Sequence, residues 1–226
     1  MPGAAGSPDV VVIGHGCTSD RDRPWSLALS AALQQAGIAS LRITFAGNGE
    51  SEGRFEDATI TKEVGDLGAV VEALAGHRVH YVGHSMGGSV GLLRAAVDAR
   101  IRTLVSLAAV THTREFILRL FGRLQPGEPM LGKPHCPWNE QLRDDFVAWG
   151  SLAGRAPVGD APWLIVHGTA DDVVPVEHSR DLHAAAPARS ELVLLDGVDH
   201  SFTGAGLGRL TQTVCSWLSA RLGALR

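Results

Sequence analysis

The sequence predicts an α/β fold in which a mostly parallel, doubly wound sheet carries helices on both faces. Six short apolar runs recur along the chain, and helix-compatible stretches of ten or more residues separate most of them. That alternation is the pattern of a parallel sheet buried on both sides. At 226 residues the chain suits one such domain, spanning 1–226, which buries roughly 70% of the surface its unfolded form exposes.

In chain order, strands are predicted at 9–13, 39–44, 79–82, 101–107, 163–167 and 191–195. Helices are predicted at 24–35, 59–74, 86–96, 177–186 and 207–222. The first strand, Asp9-Val10-Val11-Val12-Ile13, is β-branched after its opening residue. Pro24 suits the first turn of the helix that follows, and Gly37 suits the position just past its end. The rhythm breaks once, at 108–161, longer than ordinary connections in a compact domain. Within that insertion 111–124 reads as a helix with Phe116, Leu120 and Phe121 on one side. The turn-rich segments Gln125-Pro126-Gly127-Glu128-Pro129 and Lys133-Pro134-His135-Cys136-Pro137-Trp138 follow, and 139–149 reads as a second short helix.

The chemistry concentrates at Gly83-His84-Ser85-Met86-Gly87. An apolar strand end precedes it and a small, helix-compatible stretch follows, which makes the G-x-S-x-G frame a nucleophile elbow. A turn that tight strains the serine backbone and leaves Gly83 and Gly87 no room for a Cβ. Ser85 needs a base to take its proton and an acid to orient the base. In elbow enzymes these follow in the order acid, then histidine. Asp171, just past the strand at 163–167, and His200, in the loop after the strand at 191–195, fit that order. Asp172 is the competing acid, and Asp199 reads as a loop residue. The oxyanion donors are the backbone N–H groups of Met86 and Cys17, the latter in the loop after the first strand. His84 and His15 read as backbone braces. His178 and His183 have the wrong spacing for two metal ligands on one helical face.

The chain resembles the α/β-hydrolase superfamily over nearly its whole length, and within it the small serine esterases of the cinnamoyl/feruloyl esterase-like and serine-aminopeptidase-like groups. The likeness rests on five segments, namely His15 to Asp20, Phe45 to Gly53, Gly83 to Gly88, His167 to Pro175 and Gly197 to Phe202. Thr44-Phe45 departs from the Asp-Phe pair usual before the glycine-rich loop. The G-x-x-D-x-x-V-P spacing from Gly168 to Pro175 matches the family acid at Asp171. The resemblance implies an α/β-hydrolase fold with 108–161 as a lid, in the place that follows the sixth strand of the family fold. Met130, Leu131, Trp138, Phe146 and Trp149 would then shape an acyl or alcohol pocket. It implies a serine hydrolase of carboxylesterase type, acting on a small-molecule acyl ester without cofactor or metal. A thioesterase would use the same residues. An aminopeptidase-like peptidase would need a pocket carboxylate such as Glu50 or Glu52, and a non-catalytic binding homologue would keep only the shell.

Composition narrows the partners. A net charge of −4 and a pI of about 6.2 argue against nucleic acid and anionic membranes, which reward basic patches. No apolar run approaches the ~18 residues of a membrane span. Residues 1–8 lack the basic and apolar regions of a signal peptide. Cys17, Cys136 and Cys215 are odd in number and widely spaced, framing neither zinc nor disulfides. A cytoplasmic protein is expected.

Overall fold

The computed structural model describes residues 9–224; the amino-terminal lead at 1–8 lies outside the described residues. Six strands, β1 (Asp9–Gly14), β2 (Ala39–Arg42), β3 (Arg78–His84), β4 (Ile101–Leu107), β5 (Trp163–Gly168) and β6 (Ser190–Leu195), form one sheet in the order β2-β1-β3-β4-β5-β6. Every pairing is parallel. The helices are α1 (Pro24–Gln35), α2 (Ile60–Ala73), α3 (Met86–Ala95), α4 (Thr113–Phe121), α5 (Glu140–Trp149), α6 (Glu177–Ala185) and α7 (Ala205–Ala224).

Side chains alternate across a strand, and β1 shows what that does. Val11 and Ile13 enter one apolar cluster with Trp25, Leu29 and Leu33 of α1 and Leu210, Val214 and Trp217 of α7. Val10 and Val12 enter the other, with Leu67 of α2, Val90 of α3, Phe116 of α4, Phe146 of α5 and Leu182 of α6. The two clusters are the two covered faces. Chain order reverses between β1 and β3, which lie side by side while their successors run to opposite edges. A switch point of this kind opens a crevice beyond the carboxyl ends of the strands. The loop after β1 and the turn after β3 both open there.

The strand expected at 39–44 ends at Arg42. Thr44 instead ties two loops together, its hydroxyl accepting the Arg21 N–H at 3.1 Å and its carbonyl accepting the Ser51 hydroxyl at 2.7 Å. The helix expected at 111–124 is shorter, because Thr111 braces His178 through its N–H (3.0 Å, to Nδ1) and its hydroxyl (2.8 Å, to the carbonyl). The insertion at 108–161 follows β4, the fourth strand of this chain. No helix among the described residues is long and apolar enough to cross a membrane.

Candidate active site

Ser85 sits between the end of β3 and the start of α3 with φ 55° and ψ −120°, a strained conformation for a residue with a side chain. Its N–H donates to the Leu107 carbonyl at 2.8 Å, pinning the turn to the end of β4. The flanking glycines are steric requirements. A Cβ on Gly83 would lie 2.2 Å from the Gly87 carbonyl oxygen, and one on Gly87 would lie 2.2 Å from that of His15. Helix, strand and the loop after β1 therefore approach one another more closely than alanine permits. Among the described residues the Ser85 hydroxyl has no hydrogen-bond partner, as is common in a site without substrate.

Asp171 and His200 meet above the sheet. The His200 Nδ1–H donates to Asp171 Oδ2 at 2.7 Å, from the loop after β6 to the loop after β5. The Asp171 carboxylate is inaccessible to solvent. Burial alone would raise its pKa. Hydrogen bonds from His167 and His200, and from the Val174 N–H, outweigh that and hold the pKa below the usual carboxylate range. Oδ1 accepts the N–H groups of Val173 (2.9 Å) and Val174 (2.8 Å). Asp172 is exposed. Asp199 turns to the start of α7, accepting the Thr203 N–H at 2.7 Å.

A cavity of about 160 Å³ has both Ser85 and His200 in its walls, with Gly16, Cys17 and Thr18 from the loop after β1. Met86 opens α3, where backbone N–H groups lack intrahelical partners. His15 holds the loop after β1, donating from Nδ1 to the Gly16 carbonyl at 2.8 Å and accepting the Phe45 N–H on Nε2 at 3.1 Å. Burial lowers its pKa to about 4. Burial, with Glu63 nearby, pushes the Cys17 thiol up, so any contribution from Cys17 is through its main chain.

Of the five apolar residues expected at the pocket, Leu131 lines the cavity and is 57% exposed. Met130, Trp138 and Phe146 do not line it. They are buried in the cluster that joins the insertion to the body, where Phe146 stacks on Phe116 and Trp138 on Phe121. Trp149 lies away from the cavity and donates from Nε1 to the Thr61 hydroxyl at 3.0 Å. The apolar wall consists of Phe116, Leu120, Phe121, Leu131, Val173 and Trp25. The spacing of the first three along α4 carried that signal, since one face of this helix had to look somewhere.

Two histidines have larger roles than the sequence suggested. His167 Nε2 reaches Asp171 Oδ2 at 3.1 Å and the Val174 carbonyl at 2.9 Å, while its Nδ1 accepts the Ser179 hydroxyl at 2.7 Å. His84 donates from Nε2 to the His200 carbonyl at 2.9 Å, its ring centroid 4.6 Å from that of His200. Burial, then the neighbouring His200, push the His84 pKa well below the ordinary histidine value, keeping the ring neutral. No cluster of three or more metal-ligating side chains occurs among the described residues.

Comparison with known proteins agrees with this architecture. An uncharacterized protein of Mycobacterium tuberculosis is 28% identical over 204 residues, covering 88% of this chain and 65% of that protein. The human mitochondrial palmitoyl-protein thioesterase ABHD10 is 28% identical over 184 residues, covering 75% of this chain and 58% of its own length. The chain thus spans less than two thirds of the length of either relative. Among solved structures, Est1E from Butyrivibrio proteoclasticus with ferulic acid bound superposes with a TM-score of 0.84 at 25% identity, covering 95% of this chain and 89% of that one. Mouse alpha/beta hydrolase domain-containing protein 10 superposes with a TM-score of 0.80 at 18% identity, covering 97% and 92%, a likeness of fold alone. The sequence profile of the alpha/beta hydrolase family matches residues 10–206. With an elbow strained at Ser85, an acid–histidine pair beside it and that match over most of its length, the chain belongs to the alpha/beta hydrolase family.

Proposed function

We propose that the chain is a serine hydrolase that cleaves a carboxylic ester through an acyl-enzyme. The contact between Asp171 and His200 Nδ1 at 2.7 Å, on the wall of the same cavity as Ser85, carries this reading. With Nδ1 committed to the acid, Nε2 is the nitrogen left to serve as base. Ser85 Oγ attacks the acyl carbonyl carbon as its proton passes to His200 Nε2. The N–H groups of Met86 and Cys17 receive the developing oxyanion, and each such donor is worth about a hundred- to a thousandfold in turnover. His200 then gives the proton to the leaving oxygen as the carbon–oxygen bond breaks. A water molecule, deprotonated by the same histidine, attacks the acyl-serine, and the acid departs with Ser85 restored.

Phe116, Leu120, Phe121 and Leu131 support a lid role for 108–161, because they bring the insertion onto the cavity. Three free cysteines, one of them buried, fit a reducing, cytoplasmic setting. A thioester is the second reading, favoured by the likeness to a palmitoyl-protein thioesterase. Incubation with p-nitrophenyl butyrate, quenched in acid and read by mass spectrometry, tests the chemistry. A butyryl group on the peptide containing Ser85 supports it, and acylation confined to another residue overturns it. Turnover of butyryl-CoA beside p-nitrophenyl butyrate ranks thioester against ester.

A further inference from the structure

The walls of the Ser85 cavity hold two cations, Arg23 and Lys133, and no carboxylate side chain. Neither has an ion-pair partner. Among the described residues no carboxylate oxygen lies within 4.0 Å of a charged nitrogen of either residue. Other cations of the chain do meet acids, as Arg78 meets Asp9 and Arg94 meets Asp98. The Lys133 side chain makes one hydrogen bond, donating from Nζ to the Thr18 carbonyl at 2.6 Å. An ammonium has three donors, so two remain.

Lys133 also borders an adjoining cavity of about 240 Å³ that shares Thr18 and Ser19 with the first. Its walls add Asn48, whose amide reaches Glu63 Oε1 at 3.3 Å, and a buried Thr18 hydroxyl without a partner among the described residues. Asp20, the one acid there, already accepts the Asp22 N–H at 2.8 Å and does not pair with Lys133. His135 also lines this chamber. Half-buried cations that pair with no carboxylate concentrate anions in the crevice they line.

We propose that this site selects substrates bearing a carboxylate, held by Lys133 and Arg23 beside the ester that Ser85 attacks. The proposal rests on the reading of Ser85 as the reactive group, and it names the substrate class: half-esters and other esters with one free carboxylate, on either the acyl or the alcohol side. A charge-assisted hydrogen bond of this kind favours the anionic substrate by about 10- to 100-fold over its neutral isostere.

Two matched pairs test it. The acyl pair is the p-nitrophenyl monoester of adipic acid against p-nitrophenyl hexanoate, and the alcohol pair is carboxymethyl butyrate against ethyl butyrate. The ratio of kcat/KM within a pair is the readout. The expected result is a ratio of about tenfold or more in one pair, which tells which side carries the charge. It should collapse towards one in Lys133→Met or Arg23→Met, persist in Lys133→Arg, and shrink as salt rises. Ratios of one or below in both pairs overturn the proposal, as does a preference unchanged by both methionine variants. Calorimetric binding of the monoethyl ester of adipic acid and of ethyl hexanoate to Ser85→Ala separates the two readings. Tighter binding of the anion, lost on adding Lys133→Met, supports carboxylate recognition even if no ester turns over. Equal binding overturns it even if all of them do.

Discussion

His84 Nε2 donates to the carbonyl of His200 at 2.9 Å, so the residue just before the elbow serine fixes the backbone of the histidine that faces it. Trp25 and Phe202 pack around the His84 ring at centroid distances of 5.2 and 5.9 Å. Held neutral by burial, His84 adds no positive charge beside the histidine proposed as the base. His84→Phe keeps the packing and leaves the carbonyl unpaired, which costs about 1–3 kcal/mol. We expect kcat to fall by about tenfold or more with KM little changed, and His84→Gln to recover part of the loss. Unaltered kcat in His84→Phe would show that the contact does not position His200.

Asp171 and Asp172 are neighbours with opposite surroundings, one sealed against two histidines and the other facing solvent. Asp171→Asn should lower kcat by about ten thousandfold, since the amide no longer fixes the histidine tautomer. Asp172→Asn should leave it within about twofold, as expected for a surface substitution. Steady-state kinetics of the two variants gives the comparison, and the reverse ranking would move the acid to Asp172.

The elbow leaves no room at Gly87. Gly87→Ala forces a methyl to within 2.2 Å of the His15 carbonyl oxygen, so the oxyanion loop and α3 must separate. We expect a loss of about 3 kcal/mol in urea unfolding, together with lower turnover because the proposed oxyanion donor, the Cys17 N–H, moves with that loop. Stability equal to wild type would mean that the contact relaxes without cost.

The insertion should divide into residues that hold it down and residues that face substrate. Phe146→Ala opens a hole in the joint between insertion and body and should cost about 3–5 kcal/mol. Leu131→Ala should leave stability within about 0.5 kcal/mol and raise KM for long acyl chains. Thermal unfolding beside a chain-length series separates the two, and a KM effect from neither would place the acyl chain elsewhere.

Acid should destabilise the fold through its buried histidines. Burial lowers the pKa of His15 to about 4, and burial, then His112 nearby, lower that of His178 to about 4. Above about pH 6.5 neither folded nor unfolded chain protonates them, and their full contribution is present. As pH falls towards 4 the unfolded chain binds protons that the folded chain refuses, so stability drops by about 3 kcal/mol for each. Buried Glu63, whose pKa is raised, opposes the trend with a single group. Asp171 and Asp98, with lowered values, add their losses below the ordinary aspartate value of 3.8. Urea midpoints at pH 7.5 and 4.5 should therefore differ clearly, and equal midpoints would contradict buried neutral rings.

Much of this was legible in the sequence because it is local. The alternation Val10-Val11-Val12-Ile13, the Gly83–Gly87 frame and the order Ser85, Asp171, His200 are written within or between short windows. What the sequence hides is assembled from afar. Nothing near Met130 or Phe146 says that a large apolar residue of the insertion packs into the core rather than lining the cavity, because an apolar side chain looks the same in either place. His167 reads as a strand end until β5 and the Val174 turn bring it against Asp171. Arg23 and Lys133, 110 positions apart in chain numbering, are ordinary surface cations until the cavity has walls.

Steady-state hydrolysis of a p-nitrophenyl ester series, wild type against Ser85→Ala, tests the central claim most directly. Turnover should fall by about a millionfold in the variant while its thermal unfolding is unchanged. Turnover by Ser85→Ala near the wild-type rate would contradict it and send the reactive group elsewhere in the cavity.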